Sequence, residues 1–179
     1  MRQSGFGVGN SGGQPQFTDL NQGVRTMQII TGALLAGVIM FGVVSTMAVL
    51  NRAAPNPAQP PQAPIITYLA VGMTLMELGL RAVIPDLVAR QNIARMQDSL
   101  DDSDQSRLRL ASVYQTRMII GMALCEGAAF FALIAWMLEG NVLAIGTAGF
   151  LVLVMLTAFP TRDRVESWIR DQIELRNLV

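Results

Sequence analysis

The stretch Met27–Leu50, MQIITGALLAGVIMFGVVSTMAVL, carries no charged residue. About 20 consecutive apolar residues in a helix cross ~30 Å of hydrocarbon, so this run is long enough to span a bilayer. A backbone in lipid must satisfy its own polar groups, which demands a helix or a closed barrel. Three further runs follow: Ile65 to about Ile84, interrupted by Glu77 and Arg81; Met118–Leu138, interrupted only by Glu126; and Val142–Phe159, closed by Pro160. Val and Ile recur in these runs, but they do not alternate with period two, and at this length the helix is favoured. The expected fold is all-α, a four-helix transmembrane bundle with helical extensions on one side.

Composition narrows the chemistry. Only 15% of the 179 residues are charged and 51% are hydrophobic, whereas a soluble domain devotes about a quarter of its residues to charge. The 13 basic residues are all Arg and are balanced by 13 acids; His is absent and Cys125 is the single cysteine. Histidine triads, histidine metal sites, lysine chemistry, internal disulfides and multi-cysteine zinc sites are therefore excluded. No basic excess points to nucleic acid, and neither HExxH nor GxSxG occurs. The expectation is a protein without catalytic residues, cofactor or metal. Its partners are the lipid bilayer and either further copies of itself or other membrane proteins.

The segments between the spans are distinct. Residues 1–24 are rich in Gly, Ser, Gln and Asn and read as a disordered tail. The first apolar run is longer than the core of a signal peptide and lacks a preceding basic cluster, so it is expected to stay as an anchor. The connector NRAAPNPAQPPQAP holds most of the prolines and reads as extended and solvated. Glu139, Gly140 and Asn141 join spans three and four in a tight turn. Residues 86–117 are expected to form a helical hairpin outside the membrane, with Ala89, Ile93, Met96 and Leu100 on one stripe. The acidic run DSLDDSDQS lacks the Gly and terminal Glu of a calcium loop and reads as a solvated turn. Residues 161–179 set Val165, Trp168, Ile169 and Ile173 on one face of an amphipathic helix, which can lie on lipid or pack against protein.

Arginines lie before span one, between spans two and three, and after span four, while Arg52 stands alone on the opposite side. The positive-inside rule then places both termini in the cytoplasm, as in a bacterial inner membrane. An internal echo aligns IITGALLAGVIMF from Ile29 with IIGMALCEGAAFF from Ile119, and spans two and four both end near Pro and Asp. Together these suggest a duplicated helical hairpin. Small residues four apart, such as Gly32/Ala36, Ala33/Gly37, Ala123/Gly127 and Ala144/Ala148, allow close helix approach. Cys125 reads as one more small packing residue, away from any activating base.

Charges inside hydrocarbon are costly and each needs a reason. Glu77 precedes Arg81 by four residues, the favourable order for an ion pair on one helix face. Counted from the membrane edge, Glu77 and Glu126 both lie roughly 12–14 Å deep. The expectation is an ionic cluster of Glu77, Arg81 and Glu126, in which two acids and one base leave a negative charge for a proton or a cation. Such a cluster either fixes helix register or handles ions.

The run ALCEGAAFFALIAWML, Ala123–Leu138, resembles the carboxylate helix of the rotary-ATPase proteolipids, the subunit c family. The resemblance implies that Glu126 corresponds to the ion-carrying carboxylate, and a doubled hairpin resembles the duplicated V-type proteolipid. The carboxylate here belongs to the first helix of its hairpin rather than the second. The overall pattern also looks like small four-span bacterial membrane proteins. Two functions follow as expectations: a self-associating assembly or scaffold component, or a small proton- or cation-conducting oligomer using the intramembrane glutamates.

Overall fold

The computed structural model describes residues 19–52, 63–96 and 104–177. Among them every regular element is a helix: α1 (Leu20–Leu50), α2 (Ile65–Met96), α3 (Asp104–Glu139), α4 (Val142–Thr157) and α5 (Arg162–Asn177). The first three are long and apolar enough to cross a membrane. At 1.5 Å per residue they are about 46–54 Å long, so each extends well past the hydrocarbon. α4 has 16 residues, about 24 Å, and reaches spanning length only with its continuation into α5, which bends away by 67°. The chain is an integral membrane bundle of three long helices and one short apolar helix.

α3 is the axis of the bundle. It packs against α1, α2, α4 and α5, whereas α1 and α2 share no substantial interface. In the apolar stretch of α3, 44% of residues are buried, against 11% in α1. The reason is side-chain size. Ala128, Ala129, Ala132 and Ala135 of α3 and Ala144 and Ala148 of α4 all lie buried in one core cluster. Small side chains let backbones approach closely where lipid supplies no hydrophobic drive.

Both ends of the α3–α4 turn are capped locally. Gly140 adopts φ +63 and its N–H donates to the Trp136 carbonyl at 2.8 Å, a left-handed helix stop that favours glycine. The Asn141 side chain then accepts from Leu143 N–H at 2.9 Å, capping α4.

Several boundaries differ from the sequence expectation. α1 begins at Leu20, inside the stretch read as a disordered tail, because Val24 and Met27 are buried against Leu110 and Ala111 of α3 and Val165 and Ile169 of α5. The rest of that tail (1–18), most of the proline connector (53–62) and most of the acidic run (97–103) lie outside the described residues. α2 runs on through Pro85, so span two and the helical stretch that follows it are one helix. Proline removes the N–H that the Arg81 carbonyl would receive. Its ring nevertheless seats against Gly121, where an added Cβ would stand 3.8 Å from Pro85 Cγ, and Asp86 is held by Arg117 at 2.7 Å. α4 does break, at Thr157, and Arg164 Nη1 donates to the freed Thr157 carbonyl. Spans two and four therefore end differently.

The echoing helices α1 and α3 run parallel and nearly in register, with Gly37 beside Glu126, Phe41 against Phe130 and Gly42 beside Leu133. The equivalence stops there: α3 and α4 form a hairpin, while α1 and α2 do not. The amphipathic stripe of α5 packs on the protein rather than on lipid. Val165 and Ile169 are buried, and the Trp168 ring meets Tyr114 with centroids 5.4 Å apart.

Candidate functional site: the charged residues around α3

Three contacts set α2 antiparallel to α3. At one end both oxygens of Glu139 accept backbone N–H groups from the first turn of α2, Ile66 at 2.7 Å and Thr67 at 2.8 Å. In the middle Arg81 Nη1 donates to Cys125 Sγ at 2.7 Å. At the far end Arg117 pairs with Asp86. Arg81 opposite Cys125 places Glu126 within about one helical turn of Glu77 in height.

The two carboxylates nevertheless face different helices. Glu77 reaches the backbone amide of Ala128 on α3, and its Oε2 is buried without a hydrogen-bond partner. Glu126 points from α3 toward α1, where its Oε1 lies 3.7 Å from the position a Cβ on Gly37 would take. Residues 126 and 128 diverge by about 200° around a helix, so the acids occupy separate sides of α3. Among the described residues Arg81 forms no ion pair with either of them. Its partners are the Cys125 thiol and the bare backbone of Gly121, where an added Cβ would stand 3.8 Å from Arg81 Cγ. The residues expected to form one cluster thus sit in three environments. The Cys125 thiol, read as a small packing residue, has a guanidinium against it.

Sequence reasoning missed the polar contacts at the opposite edge of the membrane. Glu139, read only as a turn residue, closes the start of α2. Burial, which alone would raise its pKa, is outweighed by hydrogen bonds from Thr67 and Ile66, and its pKa lies below the ordinary carboxylate value. Arg52, the one arginine on that side, donates to the Leu138 carbonyl at 3.2 Å. A cation at a helix C-terminus satisfies an orphan carbonyl and meets the negative end of the dipole. No local pattern marks these pairs, because the partners come from different spans.

Among the described residues no three His, Cys, Asp or Glu side chains gather as a metal site. No protein-family model matches this chain, and no curated protein or solved structure is significantly similar to it.

Proposed function

We propose that this protein is a non-enzymatic, self-associating assembly component of a bacterial inner membrane, with both termini in the cytoplasm. One observation carries the reading. α1 and α4 diverge over α3 and leave an apolar groove of about 470 Å³, lined among others by Val38, Gly42, Met47, Leu133, Gly149 and Val152. Helices associate in lipid by close packing at small residues, and Gly42 and Gly149 lower the walls of this groove for a helix of a second copy. The neighbouring surface of α1 supports the same partner. Ile39, Met40, Val43 and Val44 are exposed, and among the described residues an added Cβ on Gly32 would meet nothing within 4 Å. The arginine distribution supports the orientation. The test is subunit counting by single-molecule photobleaching of the full chain in dilute lipid vesicles. Dimers or larger species that revert to monomers in Gly149→Leu, where an added Cβ meets no described atom within 4 Å, support the reading. A monomeric wild-type chain overturns it.

A second reading, a small proton- or cation-conducting oligomer, draws support from the unpartnered Oε2 of Glu77 and from the proteolipid-like surroundings of Glu126. Flux through reconstituted vesicles that vanishes in Glu77→Gln or Glu126→Gln, with assembly intact, favours it.

A further inference from the structure

At the end of the bundle where α5 lies, three arginines from three helices surround one cavity. Arg81 of α2, Arg117 of α3 and Arg164 of α5 line a space of about 200 Å³ together with Tyr114, Met118 and Ala158. That is room for roughly six or seven waters. Among the described residues no acidic side chain lines it. Arg117 is shared with Asp86, Arg164 gives one N–H to the Thr157 carbonyl, and Arg81 gives one to Cys125 Sγ. A guanidinium carries five N–H donors, so each arginine retains several. Among the described residues the cavity therefore gathers three cations with one carboxylate, Asp86, in ion-pair contact.

Its depth identifies the ligand class. Arg117 immediately precedes the third apolar run, Ala158 is the C-cap of α4 at the end of the fourth, and Arg81 lies one turn inside the second. The cavity thus straddles the level where headgroups give way to hydrocarbon. A guanidinium held at that depth without a carboxylate partner needs a counter-anion, and its planar fork matches the oxygens of a phosphate. We propose that this cavity binds the phosphate of an anionic phospholipid headgroup, with Arg81 and Arg164 as its principal donors. The apolar part of the wall, Met118, Met122, Pro85 and Ala158, favours a lipid over a soluble phosphate. Basic pockets between membrane helices on the cytoplasmic side are suited to such headgroups. The site is independent of the self-association groove, which lies between other helices.

The test uses the full-length protein, delipidated in a neutral detergent and phosphate-free buffer, with lipid binding followed by native mass spectrometry and thermal unfolding. Phosphatidylglycerol is expected to bind saturably and raise the unfolding midpoint, while phosphatidylcholine and inorganic phosphate do so far less. Arg81→Gln and Arg164→Gln should each weaken phosphatidylglycerol binding by about tenfold or more, the loss expected for one charge-assisted contact. Arg90→Gln, an exposed arginine elsewhere on α2, should not. Should Arg81→Gln fail to fold, Arg164→Gln decides alone, because Arg164 is exposed at the start of α5. Equal responses to phosphatidylglycerol and phosphatidylcholine overturn the proposal. So does full reproduction of the effect by inorganic phosphate, undiminished binding in folded Arg164→Gln, or an equal loss in Arg90→Gln.

Discussion

The Glu139 carboxylate, at the last residue of α3, accepts the N–H of Ile66 at 2.7 Å from a position 73 residues away in sequence. Its second oxygen takes the N–H of Thr67, so one side chain satisfies two of the four orphan donors that open α2. The negative charge also faces the positive end of the α2 dipole. Glu139→Gln retains one acceptor and loses the charge; Glu139→Ala loses both bonds. Thermal unfolding in detergent should fall in the order wild type, Gln, Ala, with the Ala variant roughly 2–8 °C lower. An unchanged midpoint in Glu139→Ala would mean that water replaces the cap at no cost.

The same pair sets a pH dependence with a definite sign. The Glu139 pKa is lowered in the folded chain, so the folded state binds its proton less readily than the unfolded chain does. The stabilisation is complete above the unfolded value, about 4.3, and is lost as pH falls through the folded value below it. The difference in midpoint between wild type and Glu139→Gln should therefore be constant from pH 7 to about 5.5 and shrink at lower pH. A difference that widened on acidification would reverse the assignment.

How much of this was legible in the sequence depends on how far each feature reaches. The apolar runs and the α3–α4 turn were readable because hydrophobic length, glycine and asparagine act within one segment. How Pro85 is accommodated inside one continuous helix was not. Whether a proline ends a helix depends on what its ring meets, and here that is Gly121, on another helix. The intramembrane charges show the same division. Their depth follows from counting residues along a helix, and the register puts Glu77 and Glu126 within a turn of one another. Their direction depends on which helices flank α3, and no residue in the chain announces that α1 and α2 sit on different sides of it.

The docking of α5 makes a separate prediction. Ile169 is only 4% exposed, in a cluster with Val24, Met27, Leu110 and Ala111. Ile169→Ala should destabilise the chain by about 2–5 kcal/mol, the range for emptying a core isoleucine site. It should also loosen Trp168 from Tyr114. In a Trp136→Phe background, Trp168 emission should shift to the red and become more accessible to a soluble quencher. A blue shift on reconstitution into lipid would indicate that α5 leaves the protein for the bilayer surface.

Gly37 tests the side of α3 on which Glu126 lies. A Cβ there would meet Glu126 Oε1 at 3.7 Å and Phe130 Cζ at 3.9 Å, ordinary contact distances. Gly37→Ala should be tolerated and can gain up to about 1 kcal/mol from helix propensity. Gly37→Leu exceeds the space and should cost about 1–3 kcal/mol through overpacking. Equal stability of the two variants, measured by thermal unfolding, would place Glu126 away from α1.

Glu77 separates structural need from retained chemistry. Its Oε2 is buried with no hydrogen-bond partner, and Arg81, one turn along the same helix, bonds to Cys125 instead. A polar group left unpaired in an apolar setting costs about 1–3 kcal/mol in proteins. Glu77→Met, similar in length and apolar, should therefore raise the thermal midpoint rather than lower it. If Glu77 were needed to hold α2 on α3, the substitution would do the reverse, as breaking a buried polar pair does. A stabilised variant would leave the carboxylate without a structural reason to be there, and the flux measurements on Glu77→Gln would then decide whether it handles ions.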